Sequence, residues 1–320
     1  MRRMSAMNHH LNRATVVNRW NREYKPRLTI SPGDTITVET RDASDGQVEP
    51  HMTAEAFSKI DTMRIHALTG PIAVDGAEPG DRLIIEILKY VHEGWGWTSI
   101  IPGLGLLDKD FDQHFLHTWE LEESVTRSMP GLTLPLAPFC GIIGVQPQET
   151  GEHRTRPPGA HGGNMDVRHL IAGATLHLPV FSTGAGLCFG DAHAAQGDGE
   201  VSINGIEAPM TVTARVSLEK GTAPSGPFVE CPRPLDPPAI ANGAHLIFIE
   251  SDPDALEASR RIVRRAMSYL SQRLGLSRQQ AYVTCSVVLR LKLSQVVNRP
   301  MVTVSGYLPE GIFTTPDGLR

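Results

Sequence analysis

The sequence predicts an α+β protein that is predominantly β, and three observations carry that expectation. Gly (30) and Pro (24) are frequent while aromatic residues make up only 6%, a composition that favours many turns and short strands. Several segments alternate polar and apolar residues with the period of a strand. Helical periodicity is confined to the C-terminal part. With 320 residues the chain can bury a sizeable core, and two closely joined units are expected: a β-rich region over 1–230, holding the candidate chemistry, and an α+β region over 231–320.

Taken in order, "DTITVET" (34–40) alternates polar and β-branched residues, and "RLIIEILKYV" (82–91) is an apolar run carrying Glu86. Between them "LTGPIAVDGAEPGD" (68–81) reads as a short strand closed by a Gly/Pro/Asp turn. From 94 to 138 no period is convincing, so an insertion or a lid is expected there. Strand signals return at "PFCGIIGV" (138–145), "ATLHLPVF" (174–181), "EVSING" (200–205) and "MTVTARVSLEK" (210–220). The Pro-rich "ECPRPLDPPAIANG" (230–243) reads as a boundary or long connection, and "HLIFIE" (245–250) as a buried strand.

A helix is predicted next. Ser251 or Asp252 can cap it, Pro253 suits its first turn, and Leu256, Val263, Met267, Leu270 and Leu274 form its apolar stripe, with Gly275 as the stop. Arg260, Arg261, Arg264 and Arg265 read as its solvated face. A second helix starts at Ser277, with Gln280 completing a capping box.

A net charge of -5 and a pI near 6.2 leave no basic footprint for nucleic acid. Cys140, Cys188, Cys231 and Cys285 are scattered, without zinc-knuckle or redox spacing, and read as reduced, mostly buried thiols. No apolar stretch approaches the ~18 residues of a membrane span, and the basic N-terminal stretch has no apolar h-region. The expectation is therefore a cytoplasmic protein with a small-molecule partner and no nucleic-acid or membrane partner. A homodimer or higher homo-oligomer is expected, since such proteins commonly assemble with closed symmetry and the C-terminal block has apolar surface to bury.

The chemistry concentrates in "GDAHAAQGDGE" (190–200) and "HGGNMD" (161–166). In an extended segment Asp191 and His193 share a face, about 6.6 Å apart at roughly 3.3 Å per residue, close enough to converge on one ion. Asp198 and Glu200 stand in the same i, i+2 relation, as do Asn164 and Asp166. Imidazole and carboxylate suit zinc, while carboxylate, amide carbonyl and water suit calcium or magnesium. Each segment alone also reads as ordinary turn chemistry, because Asp-Gly pairs make hairpin turns and Asn and Asp cap them. Two such Gly-rich segments together favour the ligand reading.

Four stretches, "LTGPIAVDGAEPGDRLIIEIL", "HGGNMDVRHL", "GDAHAAQGDGEVSINGIE" and the late "SQVVN", resemble the acetamidase/formamidase family in order and spacing over nearly the whole chain. The resemblance implies jelly-roll-like β-sandwich and barrel-like parts with a smaller C-terminal α/β part. It also implies a metal-containing site and hydrolysis of a short-chain amide to carboxylate and ammonia.

That reaction needs the carbonyl polarised, hydroxide supplied and nitrogen protonated, and a divalent ion can do the first two. The expected metal ligands are Asp166, Asp191 and His193, with Asn164 as a further candidate; zinc is the first choice and calcium the second. Glu200 is the expected proton shuttle, with Asp198 and His161 as other catalytic candidates. Gln196 and His66 are candidates for substrate contact, each with a structural reading beside it. A cysteine nucleophile at Cys140 or Cys188 is disfavoured by apolar neighbours that raise a thiol's pKa, and no serine-rich glycine loop suggests a Ser-Ser-Lys site. The alternative of another class is a β-sandwich that binds a metal or small ligand without turning it over.

Overall fold

The computed structural model describes residues 6–231 and 243–314. The segment read as a boundary, 230–243, therefore lies almost entirely outside the described residues. Two sheets frame the larger part of the molecule. The first has six strands in the order Asn8–Leu11, Thr35–Thr40, Met210–Glu219, Arg82–His92, Thr175–Pro179 and Phe228–Glu230. Its alternating sequences bury Ile36, Val38, Leu83, Ile85, Ile87, Val212 and Ala214 on one face. On the other face Arg215 pairs with Glu86 at 2.7 Å, the arrangement expected of a half-buried, mainly antiparallel sheet.

The second sheet has five strands in the order Gly162–Asn164, Phe139–Gly144, Leu187–His193, Leu68–Val74 and Leu28–Ile30. Its central strand Leu187–His193 is buried at every residue, hence its unbroken apolar start. One hydrophobic core takes side chains from both sheets and from the C-terminal helices, among them Val38, Ile72, Leu187, Ile262 and Val283. The structure is mostly β, with open sheets; no closed barrel forms among the described residues.

The segment without a period holds regular structure. Trp95–Ile100 and Phe115–Glu120 form an antiparallel ribbon whose Trp97 and Trp119 are buried. Five of the six residues of the first strand are buried, so no alternation can show in the sequence. The stretch "EVSING" also differs from expectation: it is a chain of turns, with Glu200 at φ 45° and Ile203 at φ 99°, left-handed values that end any strand.

At the C-terminus three strands, His245–Asp252, Val302–Pro309 and Arg290–Gln295, form a sheet against the helices Ala255–Leu274 and Arg278–Val288. The first strand is an edge, not a buried strand, and exposes Ile247 and Ile249. The long helix starts later than expected because Ser251 and Asp252 belong to that strand; Asp254 caps it by accepting from Leu256 N. Leu256 is exposed rather than in the apolar stripe, which runs instead through Ala258, Ile262, Val263, Ala266, Met267 and Leu270. Gly275 ends the helix at φ 69° and the Ser277/Gln280 capping box is present. The four arginines are not simply solvated: Arg264 holds Asp110 at 2.9 and 2.7 Å, and Arg260 donates to Leu106 O at 3.0 Å.

The second helix also positions the loop that follows the central strand. Ser286 O accepts from Gly197 N at 2.8 Å, and Ser286 Oγ accepts from Ser202 N at 3.0 Å while donating to Asn204 O at 2.7 Å. The helix Arg278–Val288 thus clamps the stretch carrying Asp198 and Glu200.

Candidate active site

Asp191 and His193 end the central strand, where both are buried. His193 Nε2 lies 3.7 Å from Asp191 Oδ1. Asp166 arrives from the turn after Gly162–Asn164, and its ligand atom clusters with those of Asp191 and His193 within 4.8 Å. Glu200 Oε1 approaches Nε2 to 3.9 Å. A fourth carboxylate, Glu207, stands across an antiparallel bridge from His193 with Oε1 at 2.9 Å from Nε2. Backbone bonds to Trp97 in both directions hold it there, at 2.9 and 2.8 Å.

Two features show how closely the backbone is fitted to this cluster. Asp166, Asp191 and Glu200 have φ of 50°, 52° and 45°, a left-handed conformation that costs a non-glycine residue about 1–3 kcal/mol each and persists only where the surroundings enforce it. Gly141 supplies room: a Cβ there would lie 2.5 Å from Asp166 Oδ1 and 3.0 Å from Asp191 Oδ2.

Four carboxylates around one imidazole cannot all carry charge at ordinary cost. Burial, reinforced by the Asp191 charge, pushes the Asp166 carboxyl up to about 7. Burial and the Asp166 charge raise Glu200 well above the usual carboxylate range. Burial raises Glu207 to about 8 against the opposing pull of His193. For Asp191 burial is outweighed by the imidazoles of His66 and His193, which hold it below the normal range. Burial disfavours a charged His193, yet the Glu207 and Asp191 carboxylates overcome it and raise that imidazole.

The donor set suits a divalent cation. His193 Nε2, Asp166 Oδ1 and Glu207 Oε2 are buried without a hydrogen-bond partner; the close approach of Nε2 and Glu207 is not aligned as a hydrogen bond. Tetrahedral ligation at 2.0–2.2 Å sets ligand atoms roughly 3.4 Å apart, and the separations of 2.9, 3.7 and 3.9 Å from Nε2 bracket that value. Two overlapping groups, Asp166/Asp191/His193 and His193/Glu200/Glu207, share the imidazole. One Nε2 lone pair can serve only one ion.

The other sequence-derived candidates fall around this cluster. Asn164 sits on its strand with Oδ1 buried and unpartnered, while its amide donates to Arg156 O at 3.2 Å. His66 Nε2 is 4.0 Å from Asp191 Oδ2, and its Nδ1 is 3.2 Å from Thr155 Oγ1. Gln196 lies between His193 Nδ1 (2.8 Å) and Asp166 O (2.9 Å). Asp198 is not brought into the cluster: its Oδ1 accepts from Arg168 Nε at 2.8 Å. His161 lies edge-on to Trp20 with centroids 5.1 Å apart, lining a cleft of about 580 Å³ with Pro147, Pro158 and Phe181. Cys140 and Cys188 are fully buried, and burial pushes Cys140 up to about 12 and raises Cys188 further, which suits inert thiols.

A model of the Acetamidase/Formamidase family matches residues 5–150 and 148–315. The chain belongs to the acetamidase/formamidase family. Among family relatives, an acetamidase from Mycolicibacterium smegmatis is 28% identical over 267 residues, covering 64% of this chain and 66% of the relative. The match thus spans just under two thirds of that relative's length. A formamidase from Methylophilus methylotrophus is 26% identical, covering 92% of this chain and 89% of the relative. Among solved structures, a gamma lactamase from Delftia acidovorans superposes with a TM-score of 0.88 at 26% identity, covering 98% of this chain and 95% of the other. Each of the three names refers to a protein acting on an amide, open or cyclic. Of the carboxylates in this family member's cluster, Glu207 is the one that strand-spacing reasoning misses.

Proposed function

We propose that this chain hydrolyses the C–N bond of a small amide, taking up one water to give carboxylate and ammonia, at a divalent metal held by Asp166, Asp191 and His193. The observation that carries the reading is the convergence of buried carboxylates on an unpartnered His193 Nε2 in a member of this family. A bound divalent ion supplies Lewis acidity toward the amide carbonyl and makes water a nucleophile near neutral pH.

The chain's own groups handle the proton. Glu200, whose carboxyl is raised well above the usual range by burial and the Asp166 charge, is the acid that delivers a proton to the departing nitrogen. Its side chain is only partly buried. Phe139 packs edge-on to His193 at 5.1 Å and shields the imidazole from water. Zinc is the proposed ion because imidazole and carboxylate together suit it better than calcium.

A cytoplasmic location and a closed homo-oligomer complete the proposal. No helix among the described residues is long and apolar enough to cross a membrane. Exposed Ile247, Ile249, Leu293, Val296 and Val297 are apolar surface that a second copy would bury; a monomer in sedimentation at micromolar concentration overturns the oligomer. The activity is tested by ammonia release from formamide, acetamide and longer amides, and by ring opening of a five-membered lactam, each before and after chelation. Turnover unchanged by complete metal removal refutes the metal reading; no turnover of any amide by metal-replete protein refutes the hydrolase.

A further inference from the structure

We propose that Gln196 is a positioning residue that keeps the ring hydrogen of His193 on Nδ1, leaving the Nε2 lone pair toward the carboxylates, and, with the same amide, fixes the backbone of Asp166. The inference rests on the metal reading above and deepens it.

The orientation of the Gln196 amide follows from its partners. One end is 2.9 Å from the carbonyl oxygen of Asp166. A carbonyl only accepts, so that end is the NH2 group. The other end, 2.8 Å from His193 Nδ1, is therefore the amide oxygen, which also only accepts. Nδ1 must then carry the hydrogen. In the neutral ring the lone pair is left on Nε2, the atom that approaches Glu207, Asp191 and Glu200 and has no hydrogen-bond partner. A ligating imidazole commonly has its second nitrogen bonded in this way.

Removal of the amide oxygen gives the ring another choice. The hydrogen can then move to Nε2, where it faces the oxygens of Glu207, Asp191 and Glu200 at 2.9, 3.7 and 3.9 Å. A hydrogen there occupies the direction a cation needs, and the ion must displace it before binding. Gly205 packs against the ring, where a Cβ would lie 3.0 Å from His193 Cγ and Nδ1.

The second half of the role concerns Asp166. Its left-handed backbone, φ 50°, is unfavourable for a residue with a Cβ, and the Gln196 NH2 group ties its carbonyl to the chain that carries His193. A single buried side chain therefore joins the two glycine-rich segments from which the proposed ligands come. Both of its amide ends are engaged by protein, which favours a role behind the ligands over direct contact with substrate.

The test measures zinc(II) affinity by competition with a chromophoric chelator, on protein first stripped of metal and shown by circular dichroism to be folded. Gln196→Met, close in shape but unable to accept from Nδ1, should weaken zinc binding about 10- to 100-fold. Gln196→Glu keeps an oxygen acceptor for Nδ1–H and should bind zinc more tightly than the Met variant. Should Gln196→Met fail to fold, Gln196→Ala replaces it in the same comparison. A merely structural Gln196 would lower the melting temperature of metal-free protein without moving the zinc constant. Equal zinc affinity in parent and Gln196→Met overturns the inference, as does a Glu variant no better than the Met variant. A parent that binds no zinc instead overturns the metal reading on which the inference rests.

Discussion

Substituting Gly141 by alanine disturbs the candidate site through one added carbon. Gly141 lies in the strand Phe139–Gly144 outside the set of left-handed glycines, so its backbone accepts alanine without strain. The new Cβ would sit 2.5 Å from Asp166 Oδ1, 2.9 Å from Asp191 O and 3.0 Å from Asp191 Oδ2. Ordinary contact begins at 3.4 Å, so the Asp166 oxygen must retreat by 3.4 − 2.5 = 0.9 Å. Misplacement of a catalytic group by about 1 Å can cost roughly 10²-fold in rate, equivalent to about 2.7 kcal/mol. Overpacking in a tight interior typically costs about 1–3 kcal/mol of stability. The assay is metal content and kcat/KM on Gly141→Ala, with Gly226→Ala as control because a Cβ there meets nothing within 4 Å. Folded Gly141→Ala with full metal and kcat/KM within a few-fold of the parent refutes the placement of Asp166 and Asp191 at the reacting centre.

Four further outcomes are expected. His193→Ala should lose metal and activity together, and retention of both in the folded variant removes His193 as a ligand. Glu200→Gln keeps shape but cannot exchange a proton, so metal stays while kcat falls about 10²-fold or more; a variant that loses its metal makes Glu200 a ligand instead. Iodoacetamide should leave turnover within a few-fold, because Cys140 and Cys188 are fully buried; stoichiometric inactivation of folded protein would revive a cysteine nucleophile. Asp81→Asn should lower stability at pH 7 by about 1–3 kcal/mol. Burial opposes its charge, but Lys220 and the amides of Glu78 and Gly221 outweigh burial and lower its pKa. Its folded value thus lies below the unfolded value of about 3.9, so its contribution is full above that value and fades as pH falls through the folded one. Urea melts of parent and variant should converge at low pH, and an equal gap at pH 7 and below the folded pKa refutes the linkage.

Which elements were legible in the sequence depended on burial. Thr35–Thr40 and Met210–Glu219 each have one face in the core and one outside, so their alternation could be read directly. Trp95–Ile100 is buried at five of its six residues and carries no period, so the ribbon it forms could not be read from the sequence. In "HLIFIE" the opposite occurred. A continuous apolar run suggests burial on both faces, but the strand is at the edge of its sheet and leaves Ile247 and Ile249 exposed.

The site was legible where neighbours in sequence are neighbours in space. Asp191 and His193 could be paired because two positions along one strand return to the same face, and their ligand atoms do approach. The same rule pairs Asp198 with Glu200, but the structure separates them: left-handed Glu200 turns toward His193, while Asp198 is taken by Arg168. Spacing rules assume regular dihedrals, and Asp166 and Glu200 depart from them; Asp191 departs too, at φ 52°, yet still approaches His193 to 3.7 Å. Glu207 escaped for a different reason. It reaches His193 through a cross-strand bridge closed by the turns of 200–205 and held by Trp97, so its place depends on pairing rather than on any local period. Its "NGIE" stretch lies within a motif shared with the family, but a motif match by itself cannot distinguish a glutamate facing the cluster from one facing solvent. Backbone geometry makes that distinction, and it places the carboxylate nearest to Nε2 at the residue the local pattern did not single out.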